Sequence, residues 1–189
     1  MKSPTYLIAC VIATIPTLSH SQEKAPYPPA PSDASSVATM TSNDEPGEQL
    51  VINGIVYEAD GRTPISGFVL YLYQTDSSGV YNKTDRSWQR PRIHGWVRTD
   101  NDGKYEIRTI KPGSYPGSRN PAHIHAIVKL AGSEAEWIDD FLFEGDPFLS
   151  SKDRKRIENE GRFSPVMSIE RDEKGVLRCK RDIKISASE

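Results

Sequence analysis

Beyond Gly47, apolar and polar residues alternate with a period of two, broken by turn-forming sequence at short intervals. Leu50–Tyr57 (LVINGIVY) is rich in β-branched residues and predicts a strand, followed by the turn-like Ala59-Asp60-Gly61-Arg62 and a second strand over Gly67–Gln74 (GFVLYLYQ). Gly95–Arg98 and Lys104–Thr109 flank Asp100-Asn101-Asp102-Gly103, which predicts a hairpin. Lys111-Pro112-Gly113 breaks the chain, His123–Leu130 (HIHAIVKL) resumes as a strand, and Trp137–Phe143 predicts another. Val166–Glu170 and Val176–Ile185 flank Asp172-Glu173-Lys174-Gly175, a second predicted hairpin. The helical candidate is Ser150–Glu160, charged almost all round. Short strands closed by frequent turns indicate an all-β chain, a β-sandwich of mostly antiparallel strands with one short helix in its C-terminal third.

The first 46 residues carry no such period. Lys2, the apolar run Tyr6–Ile15 and the small residues Ser19 and Ser21 read as a secretory signal peptide over residues 1–21, too short for a membrane span. The expected destination is the periplasm or the medium. Leu7-Ile8-Ala9-Cys10 has the look of a lipoprotein cleavage box, but too few residues precede Cys10 for a normal apolar region. Residues 22–46 hold Pro26, Pro28, Pro29, Pro31 and Pro46 among Ser, Thr and Ala, the composition of a flexible spacer. The folded unit is therefore expected at residues 47–189, one domain of common size.

Charge and cysteine content narrow the classes. Removing Lys2 leaves 23 of the 24 basic residues against 26 acidic ones, a net charge of −3. This mild, mixed acidity argues against a nucleic-acid or anionic-membrane partner. Cys10 leaves with the leader and Cys179 stays alone, so neither a disulfide scaffold nor a zinc ribbon is available.

After removal of the leader three histidines remain, His94, His123 and His125. His123 and His125 lie two apart in a predicted strand and so share one face. Ile124, Ala126, Val128 and Leu130 make the other face apolar, which turns the histidines away from the main core. A metal site here needs further donors of another residue type. Tyr81 and Tyr115 qualify, each beside Gly or Pro in a loop, although either tyrosine alone fits an aromatic lid over the sandwich edge. His94, beside Gly95-Trp96, reads as a packed or hydrogen-bonding residue.

Three runs carry a closer signal: Thr99-Asp100-Asn101-Asp102-Gly103-Lys104-Tyr105, then Thr109-Ile110-Lys111-Pro112-Gly113-Ser114-Tyr115-Pro116, then Pro121-Ala122-His123-Ile124-His125. Leu72-Tyr73-Gln74-Thr75-Asp76 with Gly79-Val80-Tyr81 precedes them, and Phe143-Glu144-Gly145-Asp146-Pro147 follows. Together these resemble the intradiol ring-cleavage dioxygenases, the non-haem iron(III) enzymes that include catechol and protocatechuate dioxygenases. The specific part is Tyr-Pro followed by Pro-Ala-His-Ile-His with an upstream Gly-x-Tyr. The resemblance implies a prealbumin/transthyretin-like sandwich, a ferric ion, and Tyr81, Tyr115, His123 and His125 as its ligands. Hard phenolate donors favour Fe(III), and imidazoles suit iron generally. It further implies that a catechol-type substrate binds iron through both oxygens, displacing the Tyr115 phenolate, which accepts a proton. O2 then opens the ring between the hydroxylated carbons to a muconate-type dicarboxylate.

The chain departs from that pattern at two positions. The family's Arg before Pro-Ala-His-Ile-His is Asn120 here, with Arg119 one residue earlier as a candidate substrate-binding group. A family Gln falls near Asp140. These substitutions bear on substrate and turnover, and leave as the alternative a non-catalytic transthyretin-like binding module that retains the metal site.

Overall fold

The computed structural model describes residues 27–84, 87–129 and 134–185; the leader expected at residues 1–21, and Leu130, lie outside them. In chain order the strands are β1 (Val37–Thr39), β2 (Gln49–Tyr57), β3 (Val69–Gln74), β4 (Ile93–Arg98), β5 (Lys104–Ile110), β6 (His123–Val128) and β7 (Glu136–Phe143). After helix α1 (Ser151–Glu160) come β8 (Val166–Met167), β9 (Glu170–Arg171), β10 (Leu177–Lys180) and β11 (Ile183–Lys184). One sheet runs β1-β5-β2-β10-β9, with β11 also paired to β2; the other runs β4-β3-β6-β7-β8. The long ladders β2–β5, β3–β4, β3–β6 and β6–β7 are antiparallel. Short parallel pairings add β1 to β5, β10 and β11 to β2, and β8 to β7.

The alternation along β2 and β5 turns Leu50, Ile52, Val56, Tyr105 and Ile107 inward, where they meet Leu70, Leu72, Ile124, Ala126 and Phe141 of the facing sheet. All are buried. Strand β3 is apolar on both faces for a structural reason. Leu70 and Leu72 enter this core, while Tyr71 and Tyr73 face outward with Ile127 into a second apolar layer covered by Tyr27, Trp88, Trp96 and Tyr115. The histidine face of β6 belongs to this second layer, because Tyr73 stands opposite His125 in the ladder. Gln74 ties the layers together: its buried amide donates to Ile110 O and accepts from Thr109 Oγ1 of β5.

Two sequence expectations change. The segment expected as spacer does not end at Pro46, since Val37–Thr39 pairs with Glu106–Arg108 and buries Ala38 and Met40. Tyr27 packs edge-on against Trp96, with ring centroids 4.9 Å apart. Its composition hid a strand too short to set a period. The Asp100–Gly103 turn forms, with Gly103 N–H donating to Asp100 O, yet it closes no hairpin. Strand β4 pairs with β3 and β5 with β2, so the turn carries the chain from one sheet to the other. Facing sheets bury both apolar faces, which a continuous hairpin would not. The second expected hairpin is present as β9–β10, and the helix begins at an N-cap, Ser150, with a reciprocal bond to Asp153.

Two loops of the second sheet's end touch through their backbones. Asp76 organises the first by accepting from Ser78 and Val80 N–H through Oδ1, and Gly79 takes φ +81°. A Cβ on Gly79 would stand 2.0 Å from Ser114 O, and one on Gly113 would stand 2.5 Å from Ser77 O. Gly113 N–H donates to Asp76 O, and Thr75 Oγ1 donates to Gly113 O. The two glycines thus let the Tyr81 loop and the Tyr115 loop lie against each other.

A chain starting at Gly47 should melt about 10 °C below one starting at Gln22, for a loss of roughly 3 kcal/mol from Met40, Ala38 and the β1 ladder. Equal melting temperatures in calorimetry would return the segment to a spacer. Gly79→Ala should lower the stability read from urea midpoints by about 3 kcal/mol through strain and displaced backbone, whereas Gly117→Ala should cost only about 1 kcal/mol. Gly117 also has positive φ, but nothing lies within 4 Å of its added Cβ. Equal costs at both sites would refute the close-approach account.

Candidate metal centre

The loop contact delivers two phenols to one place, and β6 delivers two imidazoles. Asp146 fixes the entry to β6: its buried carboxylate accepts from Ala122 N–H and Phe148 N–H, joining the Glu144-Gly145-Asp146-Pro147 turn to the residue before His123. Tyr81 Oη and Tyr115 Oη are in direct contact. Tyr115 Oη lies 2.9 Å from His123 Nε2 and 3.2 Å from His125 Nε2. His125 Nε2 lies 2.8 Å from Tyr81 Oη and 3.1 Å from His123 Nε2. All four residues singled out as ligands in the sequence therefore converge, through the atoms a metal would use.

The far edge of each imidazole settles which nitrogen carries the proton. His123 Nδ1 is 2.7 Å from Pro121 O, and His125 Nδ1 is 2.7 Å from Asp140 Oδ1. A carbonyl and a carboxylate only accept, so each Nδ1 keeps its proton and donates it, and a ring in its neutral form then presents a bare Nε2 lone pair. Two bare lone pairs 3.1 Å apart repel, and two phenols offer only two protons among four donor atoms. A cation at the centre removes the conflict. Ligands held about 2.1 Å from one ion stand roughly 3–3.4 Å apart at right or tetrahedral angles, close to the spacing of this cluster.

Electrostatics point the same way. Burial pushes the Tyr81 and Tyr115 phenols above their ordinary range, and the neighbouring Tyr115 raises Tyr81 further. Burial, then the adjacent His125, holds His123 below the usual imidazole range. Without a cation both phenols keep their protons at neutral pH and His123 stays neutral. Only a strong local positive charge makes this pair anionic. His123, His125 and Asp140 also gather closely enough to be weighed together as metal donors, but Asp140 faces the Nδ1 side of His125.

A cavity of about 1200 Å³ opens beside the cluster, with Tyr73, Trp88, Trp137 and Pro116 in its walls together with Tyr115 and His125. Tyr73 stacks on His125 with centroids 4.6 Å apart, and its hydroxyl accepts from Trp137 Nε1 at 3.1 Å. Sequence reasoning had not assigned these wall residues. The signal was available for Tyr73, which shares the outward parity of β3, and for Trp137, whose ring departs from the core parity of Ile138.

Arg119 does not join the described wall. It is exposed, with its guanidinium 5.8 Å from the centre of the Phe148 ring. The loop ahead of β6 turns through Ser118, whose N–H donates to Tyr115 O and whose Oγ accepts from Asn120 N–H, and this sends Arg119 towards Phe148. Asn120 is exposed as well. His94 lies on the same outer face but packs near Tyr71, ring centroids 5.8 Å apart, away from the four donors. Cys179 is buried, and burial pushes its thiol up to about 11, which makes it unreactive.

The family model described as Dioxygenase matches residues 23–160. Catechol 1,2-dioxygenase 1 of Acinetobacter lwoffii is 33% identical over 125 residues, covering 56% of this chain and 39% of that protein. The protocatechuate 3,4-dioxygenase beta chain of Burkholderia cepacia is 30% identical over 131 residues, 64% of this chain and 55% of that one. The chain thus spans about half, or less, of these curated relatives. Among solved structures, the dioxygenase domain of a dioxygenase–carbohydrate-binding fusion protein from Streptomyces sp. SirexAA-E shares the fold. It has a TM-score of 0.62 and 22% identity, over 85% of this chain and 94% of that one. The matched span holds both tyrosines, both histidines and the sandwich strands that carry them, and the chain belongs to the intradiol ring-cleaving dioxygenase family.

Proposed function

We propose that the protein is an exported ferric dioxygenase that opens the ring of a catechol-type aromatic between its two hydroxylated carbons. The observation that carries this reading is the convergence of two phenol oxygens and two imidazole Nε2 atoms beside an open aromatic-walled cavity. Two phenols and two imidazoles form a hard, potentially dianionic donor set suited to Fe(III). When bound, the ferric ion supplies Lewis acidity and a template for both catechol oxygens in the reaction with O2.

The chain's own residues have separate tasks in this reading. His123 and His125 hold through Nε2, each braced at Nδ1. Tyr81 sits deeper, buried at 8% exposure, and serves as the permanent phenolate. Tyr115 is only half-buried, on a loop between Gly113 and Gly117, so its Oη is the group able to withdraw and take the proton of an incoming catechol hydroxyl. Tyr73, Trp88 and Trp137 offer faces to the substrate ring. The product is a muconate-type dicarboxylate. Lys2, the apolar run Tyr6–Ile15 and Ser21 support export to the periplasm or medium. The mixed, mildly acidic charge supports a small-molecule partner rather than nucleic acid or an anionic membrane surface. No helix of the described residues is long and apolar enough to cross a membrane.

Iron-loaded protein should be red-brown from phenolate-to-iron charge transfer, and Tyr81→Phe and Tyr115→Phe should each weaken or shift that visible band. A colourless protein with one ferric ion bound per chain would sink the ligand assignment. In an oxygen electrode, the coloured protein given a panel of catechols should consume one O2 per ring opened, with Tyr81→Phe slowing turnover by at least about 100-fold. Coloured protein that consumes no O2 with any catechol would instead support the metal-retaining binding module.

A further inference from the structure

Asp140 stands near the position at which the family resemblance places a glutamine. The structure gives its carboxylate a histidine neighbour. Strand β7 carries one residue more than β6 at this point, since Ile124 pairs with Phe141 while Ala126 pairs with Ile138. Ile138 and Phe141 therefore both face the core although they are three apart, and Asp139 and Asp140 share the bulge. The bulge turns Asp140 to the face of His125, where its Oδ1 receives Nδ1–H at 2.7 Å.

Two arginines pin this irregular stretch. Arg156 of α1 holds the Asp139 carboxylate from both Nη atoms, and Arg181 Nη2 donates to the Asp139 carbonyl at 2.8 Å. Arg181 is itself buried and stacked on Phe141, 4.0 Å from the ring centre, and its own carbonyl accepts from Tyr105 Oη. The bulge is thus anchored from the helix and from the facing sheet, which fixes the backbone that presents Asp140 to His125. Tyr73, stacked on the other side, limits rotation of the His125 ring.

We infer that Asp140, which also lines the cavity, is a positioning residue: it holds Nδ1–H of His125 and so aims a bare Nε2 at the metal centre. The function of the aimed Nε2 rests on the ferric reading above; the Nδ1–H contact does not. His123 receives the equivalent service from a neutral backbone carbonyl. Asp140 differs in bringing a negative charge to the outer side of one ligand, which makes that imidazole a stronger donor.

The test uses the full chain, metal-free and iron-loaded, as wild type, Asp140→Asn and Asp140→Ala. In metal-free protein with 15N-labelled histidine, the wild type should show His125 as the Nδ1–H tautomer with an exchange-protected, low-field proton. Asp140→Ala should lose that protection and populate the other tautomer, while Asp140→Asn, which retains an acceptor oxygen, should keep it. Ferric affinity measured against a competing chelator should fall about 10–100-fold in Asp140→Ala and only a few-fold in Asp140→Asn. Loss of the carboxylate charge should also shift the visible band of Asp140→Asn. An unchanged His125 tautomer and unchanged ferric affinity in Asp140→Ala would overturn the inference, as would a loss in Asp140→Asn equal to that in Asp140→Ala. A wild type with the protected Nδ1–H that binds no ferric iron would refute the ferric reading and leave the positioning role standing.

Discussion

Two imidazole Nε2 atoms stand 3.1 Å apart because the opposite nitrogen of each ring keeps its proton and donates it in a hydrogen bond to a carbonyl or a carboxylate. This arrangement is unfavourable by itself, and much of the surrounding structure serves to maintain it. Pro121 and Asp140 fix the tautomers, Tyr73 blocks one ring, and the contact between two loops brings up phenols that can share only two protons among the four donors. The strain is local and is relieved by positive charge. The rest of the sandwich supplies a rigid frame: its core, with Ile52, Leu72, Ile107, Ile124 and Phe141 fully buried, holds β6 and β7 in a register that a loop could not maintain.

That frame also explains why the departures from the family pattern leave the donor set intact. Asn120 and Arg119 lie in an exposed connection that turns away from the cavity, whereas the four donors depend on β6 and on two glycine contacts. The departures at Arg119 and Asn120 thus sit apart from the four donors, whereas the one at Asp140 meets His125 on its Nδ1 side. The half-burial of Tyr115 against the deeper burial of Tyr81 is a further consequence: chemically identical side chains acquire different exposure from the loops that present them.

Much of this was legible in the sequence because it rests on short-range rules. His123 and His125 share a face by strand parity, the alternation of β2 and β5 gives the core, and Ser150 with Asp153 marks the helix start. What was hidden depends on partners distant in sequence. Nothing within Val37–Thr39 says that an edge of β5 is free to receive it. The Asp100–Gly103 turn has the local chemistry of a hairpin, and only the competition of β2 and β3 for the flanking strands sends them into different sheets. The bulge at Asp139-Asp140 left a trace, two core residues at odd spacing, but its role required seeing which histidine lay opposite.

The pairing of β10 and β11 with β2 sets an order for assembly. Strand β2 is central to its sheet, yet one of its edges is covered only by residues 177–184, more than 120 positions later in the chain. Until that stretch arrives, Leu50–Tyr57 presents an apolar, β-branched strand with open backbone groups, the kind of edge that recruits other chains. Sheet closure thus waits for residues 177–184, and β10 and β11 act as a latch. Proteolytic loss of residues 177–184 would take Arg181 from the Asp139 carbonyl and expose an edge prone to aggregation. The integrity of these strands would then govern both the solubility of the fold and the anchoring of the bulge beside His125.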